Sequence, residues 1–544
     1  MRFVNRAAAV TLVVGILLTT TAGPAVAAPV HARIEGTGSS WSGNAMNLWI
    51  SAATQQGVQV VFTATGSATG RRDFAYQTTD FGVTDIPYQG SDPLTGAEDT
   101  AHDRPYVYLP IVAGGTSFPY QIRVGGQLVR NLRLSGQTLA KIFTAQITNW
   151  NDPQITADNN GRQLPSITIK PIVHSEGSGS TAQFTAYLAK EYPQIWGAYA
   201  GHAVETEYFP ARNTHNDSNH TIAQNGSDGV MNTLVATSNN GTIAYDEYSY
   251  ALAVDYPVAK IENTAGYFTL PTDYNVAVSL TQAVIDDNPS SPTYLIQKLD
   301  NVYVYNDKRT YPMSSYSYLI LPTGPDGSHP ETKMTTGKRQ TLADFTSYTV
   351  CTGQRSMGPL GYSPLPINLV QAGFAQIAKL KVRDPAVVLD QQPINNCSNP
   401  TFVAGHPEIN HLAQIAPMPP DCDKSGAGPC GATGGTGTGG TGNGGTGTGG
   451  TGTGGTGTGA GGTGTGAAGA TPSAGAGTVI DPDTGQVVGA GSGGDANAAP
   501  TPTTLSAFRN SAYMRILVPL SVALLLSVLF VPALLNRRYR NRRR

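Results

Sequence analysis

Charge is scarce in this chain: only 13% of its 544 residues are charged, and the formal net charge at pH 7 is −2. Ten of the 34 basic residues and three of the 36 acidic ones lie outside residues 28–430, so that stretch holds 24 basic and 33 acidic residues. An acidic body of this kind excludes the usual basic nucleic-acid binder. Cysteine is scarce too, with four residues, the first at Cys351. The N-terminal apolar stretch is therefore not followed by a cysteine for lipid attachment. No C-x-x-C pair or Cys/His cluster suggests a metal. His215, His220, His406 and His411 sit in polar, loop-like surroundings and read as surface histidines. There is no Gly-Lys-Ser/Thr phosphate loop, no G-x-S-x-G elbow and no convincing Ser/His/Asp set, so no cofactor and no enzymatic activity are expected. Disorder throughout is excluded as well, because 40% of the residues are apolar.

What is present begins with the two ends. Arg2 and Arg6, the apolar run Ala7 to Leu18 and the A-x-A site Ala25-Val26-Ala27 read as a secretory signal over residues 1–27. Ile516 to Leu535 is uncharged and long enough for a transmembrane helix, and six arginines follow in residues 536–544. That order places the tail in the cytoplasm and the preceding domain outside the cell. Residues 431–511 form a Gly/Thr-rich then Ala/Pro-rich linker, in which residues 431–470 alone hold 22 of the 64 glycines. Such a tract cannot bury enough apolar area to order its backbone and suits a spacer. Four cysteines in an exported chain predict two disulfides with three possible pairings. The closeness of Cys422 and Cys430 within the tail 401–430 favours Cys422–Cys430 with Cys351–Cys397.

Residues 28–400 alternate short β-rich runs with helical ones. Val58 to Thr63, Val107 to Val112, Ile167 to Val173 and Tyr316 to Leu321 predict strands. Trp41 to Gln55, Gln137 to Phe143, Thr181 to Glu191 and Pro366 to Leu380 predict helices. The alternation predicts an α/β fold with mostly parallel sheets, and the length predicts two lobes. Two Gly/Ser turns precede helices: Gly36-Thr37-Gly38-Ser39-Ser40, with Trp41, Ala45, Leu48 and Ala52 expected on one face, and Gly177-Ser178-Gly179-Ser180-Thr181, with Phe184, Tyr187 and Leu188. A third, Thr65-Gly66-Ser67-Ala68, follows a strand, and Phe81 to Pro87 places Asp85 at the end of an apolar run. Glycine permits the tight turn, and amides and hydroxyls at a helix start make an anion site without net positive charge.

Several motifs in this order resemble the periplasmic phosphate-binding proteins of the phosphate ABC transporter. The resemblance covers about residues 32–390. It rests on Gly36–Trp41, Gly66–Gly70, Phe81–Pro87, Leu139–Pro153, Val173–Tyr187, Tyr311–Pro322 and Gly358–Phe374. It implies a Venus-flytrap fold in which two α/β lobes, residues 32–114 plus 312–395 and residues 115–311, close on a dehydrated oxyanion. By motif position, phosphate would be held by Ser40, Trp41, Ser67, Asp85, Ser178, Gly179 and Ser180, and ABC permease subunits would be partners. Asp85 would accept a hydrogen bond from the ligand's own proton and repel an anion that has none, such as sulfate.

One stretch departs from that pattern. The family places an arginine two residues before an aspartate at the Gly-Ser-Gly turn, whereas here His174 and Glu176 take those positions. Imidazole has fewer donors than a guanidinium, and with an ordinary pKa near 6.5 it is expected to be mostly neutral at pH 7. Loss of a charge-assisted hydrogen bond would weaken binding by roughly tenfold to a hundredfold. The alternative expectation is a membrane-tethered scaffold turned to another oxyanion or to surface and cell-wall contacts.

Overall fold

A computed structural model describes residues 30–427 and Cys430, except residues 92–97, 211–220, 325–332, 390–393 and 428–429. The signal segment, the Gly/Thr-rich linker, the apolar segment 516–535, the basic tail, His215 and His220 lie outside the described residues. No helix among the described residues is long and apolar enough to cross a membrane.

The largest sheet has six strands. In spatial order they are Asp246–Glu247, Tyr106–Ser117, Ser314–Pro322, Phe81–Thr84, Ile34–Gly38 and Val60–Ala64. Only the last three pair in parallel; Ser314–Pro322 runs antiparallel to both neighbours, and Asp246–Glu247 antiparallel to Thr116–Ser117. The expectation of mostly parallel sheets is thus corrected for this sheet. The reason is topological: Tyr106–Ser117 leaves the sheet, and the chain returns along it through Ser314–Pro322, which forces antiparallel pairing. All nine residues of the returning strand are buried, Ser314, Ser315 and Ser317 among them, so both of its faces are covered. Between these strands the chain builds two three-stranded sheets. One is the parallel set of Ile222–Gln224, Lys170–His174 and Thr242–Ala244; the other joins Phe268–Thr269, Lys260–Glu262 and Arg133–Leu134.

The predicted elements are found with shifted ends. The helices run Gly43–Gln55, Gly136–Phe143, Gly179–Glu191 and Ile367–Arg383, and the strand expected at Val107 to Val112 is twice that length. The first helix buries Ala45, Met46, Trp49 and Ala53. Its inner face is therefore turned by about one residue from the one expected, because Gly43 starts the helix and Trp49 is its largest apolar side chain. Apolar residues on the main sheet, among them Ile34, Trp49, Val83, Leu109, Leu319 and Phe345, form one core. A second core, with Leu134, Trp150, Phe184 and Tyr245, runs on into Tyr316 and Tyr318 of the returning strand.

The tail after residue 393 is more than a connector. Cys397 is bonded to Cys351, and Cys422 to Cys430. Between them, Asp423 is buried with Arg133 at 2.9 Å and Lys260 at 2.8 Å, so the tail is anchored on the smaller sheets by a buried ion triad. His406 and His411 are exposed, and among the described residues no group of three His, Cys, Asp or Glu could hold a metal ion.

Candidate anion site

Four helices begin at one place. They start at Gly43, Ser67, Gly179 and Gly226, and none has a side-chain cap, as is also true of Pro193–Ala200 and Ile367–Arg383, whereas the helices starting at Gly136, Pro153, Asp273 and Thr336 are capped by side chains. Contacts between the turns bring them together. Ala68 N–H donates to Gly177 O at 3.1 Å, and Ser227 N–H to the Ser40 hydroxyl at 3.2 Å. Gly66 has a φ of +93°, which opens the turn into its helix. Gly179 lies so close to Asp85 that a Cβ there would stand 1.9 Å from its Oδ2. Any side chain at position 179 would push these two turns apart. Uncapped helix starts place positive partial charge at one spot, with the Ala68 and Ser227 amides already used to join the turns.

Asp85 follows the strand Phe81–Thr84 and is buried. Its Oδ2 accepts from the hydroxyls of Ser39 at 2.6 Å and Ser67 at 3.1 Å, and its Oδ1 from Ser317 at 2.7 Å. A carboxylate has about four acceptor positions, so about one is left. Burial raises the Asp85 pKa, and the three hydroxyls and the charge of Arg71 offset part of that rise. Gln183 reaches across from the helix Gly179–Glu191 to donate to Asp85 O at 3.0 Å. Asp85 and Gln183 also line a cleft of about 590 Å³ that extends past Lys298 and Tyr303 to the exposed Lys190.

The remaining predicted residues cluster around this carboxylate. Ser40 is buried; its hydroxyl takes both the N–H and the hydroxyl of Ser227, and its carbonyl accepts from Tyr250 at 2.6 Å. Trp41 is held edge-on by Tyr362, whose hydroxyl donates to Trp41 O at 2.6 Å. Ser178 is buried at the N-cap, its N–H donating to Glu207 O at 2.9 Å. Three buried polar atoms of the predicted set have no hydrogen-bond partner among the described residues: Trp41 Nε1, Ser180 Oγ and His174 Nε2. Buried polar atoms are rarely left so, and a ligand is one reason they would be.

His174 sits in surroundings that favour its charged form. Its side chain is fully buried, with Nδ1 at 2.8 Å from Glu176 Oε1. Burial pulls its pKa down, but the Glu176 hydrogen bond and the charges of Asp246 and Glu176 outweigh it and hold the imidazolium above its usual range. Glu176 is pushed the other way: burial raises its pKa, and the bond and charge of His174 bring it below the ordinary value. Both shifts favour the charged forms of the pair, and a doubly protonated ring would have Nε2–H free to donate.

Sequence reasoning missed several participants. The first turn reaches Asp85 through Ser39, one residue before the pair that the motif indicated. Ser317 was signalled only by the Ser-Tyr alternation in Ser314–Pro322. Arg71 had no signal at all: it is wholly buried, with Asp99 at 2.7 Å, both oxygens of Glu207 at 2.8 and 2.7 Å and the Thr84 hydroxyl at 3.0 Å. It ties the helix after Gly66 to the segment that carries Ser178 N–H.

Fold and site together define a solute-binding type of protein. A family profile described as PBP superfamily domain matches residues 21–352, and the chain belongs to that family. It is 28% identical over 336 residues to phosphate-binding protein PstS 3 of Mycobacterium tuberculosis, covering 61% of this chain and 82% of that one. It is 29% identical over 358 residues to phosphate-binding protein PstS of Methanocaldococcus jannaschii, covering 64% and 86%. A solved high affinity periplasmic phosphate-binding protein with phosphate bound aligns over 68% of this chain and 98% of its own, at 17% identity and a TM-score of 0.46.

Proposed function

We propose that this chain is an extracytoplasmic binding protein that captures inorganic phosphate for an ABC transporter, and that it binds its ligand without transforming it. The observation that carries this reading is the meeting of four uncapped helix starts around Asp85, with Ser180 Oγ, Trp41 Nε1 and His174 Nε2 buried and unpartnered among the described residues. Donors converge where oxyanion oxygens would sit, and Asp85 keeps about one acceptor position for a protonated oxygen. The names of the relatives agree with this ligand. His174, paired with Glu176, offers its Nε2 as a donor where an arginine would otherwise donate. In this reading two lobes close on the ligand, the apolar segment 516–535 tethers the chain to the membrane, and the Gly/Thr-rich linker gives the binding body reach.

Isothermal titration of the chain with phosphate and with sulfate tests the proposal. One site of micromolar affinity or tighter for phosphate, with sulfate silent, is expected. Equal binding of both anions, or of neither, would overturn it.

A further inference from the structure

Asp246 is a buried carboxylate beside this site that neither the motifs nor the resemblance accounts for. It ends the passage back from the smaller sheets, in the two-residue strand that pairs with Thr116–Ser117. Its side chain is fully buried; Oδ1 accepts Glu247 N–H at 2.8 Å, while Oδ2 has no hydrogen-bond partner among the described residues. The charged and titratable groups facing it come from every packed element. His174 ends the strand Lys170–His174, and Glu176 follows it. Tyr245 and Glu247 flank Asp246 in the chain, and Tyr250 lies on the next helix. Ser227, on the helix starting at Gly226, touches Asp246 and also holds the Ser40 hydroxyl, so Asp246 stands one hydroxyl away from a predicted anion contact.

The only facing cation in that set is His174, and Glu176 already neutralises it. An ionised Asp246 would therefore leave the neighbourhood negative just where an anion must enter. We propose that Asp246 is a second carboxyl of the anion site that takes up one proton when phosphate binds, so that capture is proton-coupled and the neutral acid no longer repels the anion. This rests on the phosphate reading above and sharpens its specificity. No covalent step is involved: solvent supplies the proton, which ends on the Asp246 carboxyl.

The supporting chemistry has the right sign. Burial lifts the Asp246 pKa to about 6, against the opposing effects of the His174 charge, Ser227 and the Glu247 amide. A bound anion next to it lifts it further. Binding and protonation then favour each other by linkage. Affinity is highest below pH 6 and falls by up to about tenfold per pH unit above it, until the bound-state pKa is passed.

Titration calorimetry of the full chain with inorganic phosphate, near pH 8 in buffers of different ionisation enthalpy, counts protons taken up per phosphate bound. About one proton is expected for the wild type and close to none for Asp246→Asn, whose affinity should also vary less with pH between 6 and 8 than that of the wild type. Uptake that persists in Asp246→Asn places the proton on phosphate or on His174 and overturns the inference. So does wild-type binding with no uptake, and the phosphate reading survives both results. Absence of phosphate binding by the wild type at any pH overturns that reading and this inference together. Should Asp246→Asn fold poorly, Asp246→Ser gives the same comparison, and the wild-type proton count needs no variant.

Discussion

The two sides of the site solve one problem differently. On the side of the six-stranded sheet, Asp85 is surrounded by neutral donors: Ser39, Ser67 and Ser317 give it three hydroxyl hydrogen bonds. Facing it, His174 and the turn after it use charge, with the imidazole bonded to Glu176 and biased towards its charged form by Glu176 and Asp246. Hydroxyls stabilise a buried carboxylate without adding charge, and they offset part of the rise that burial imposes on the Asp85 pKa. Charges in a buried site depend on each other's protonation, so the second side couples several titrating groups. The contrast suggests that the Asp85 side sets which anion is accepted and the His174 side sets how tightly and at what pH.

Breaking the link between the sides should have the largest effect. Arg71→Met leaves Glu207 and Asp99 facing each other without their cation, and removing one partner of a buried ion pair costs about 3–5 kcal/mol. Thermal unfolding should show a correspondingly lower midpoint, whereas a change within one degree would mean that the pair is not formed. Next comes the neutral side itself. Asp85→Asn keeps the shape but puts an amide among three serine hydroxyls, and phosphate affinity should drop about a hundredfold, as expected for losing a charged acceptor. Sulfate binding gained by the same variant would confirm that Asp85 discriminates by repulsion.

The charged side should respond less. His174→Gln should weaken phosphate binding about tenfold at pH 6. Its effect on stability has a defined window. The His174 pKa is raised in the folded chain, so its contribution is complete below the ordinary value of 6.5 and fades as pH rises through the folded value. The Glu176 pKa is lowered, so its contribution is present above 4.5 and fades as pH falls through the folded value. The difference in melting temperature between wild type and His174→Gln should therefore be largest between about pH 4.5 and 6.5. A difference that grows steadily towards pH 9 would contradict the ion pair. The smallest effect is expected from Ser317→Ala, which removes one of three hydroxyls from Asp85 and should weaken phosphate binding about fivefold.

The sequence was most informative where function depends on local backbone. Gly66, Gly177 and Gly179 mark turns whose shape is dictated within a few residues, and each helix after such a turn was visible. The stretch Trp150 to Pro153 is similar: Asp152 caps the helix begun by Pro153, and Trp150 Nε1 donates to Gly241 O. Interactions between distant segments were not legible. Arg71 and Glu207 are 136 positions apart, Ser317 and Asp85 232 apart, and Asp423 and Lys260 163 apart. Nothing in the local pattern of an arginine, a serine or an aspartate says which remote strand it will meet. The setting of His174 was legible in part: its neighbour Glu176 was in plain view, but Asp246 arrives only when the chain returns to the main sheet.

The most direct test of the account is a crystal structure grown with arsenate, which has the shape and protonation of phosphate and an anomalous signal. A single arsenic peak enclosed by Ser40, Ser67, Asp85, His174 and Ser180 is the predicted result. A peak elsewhere, or none at saturating arsenate, would contradict the claim that these turns form the anion site.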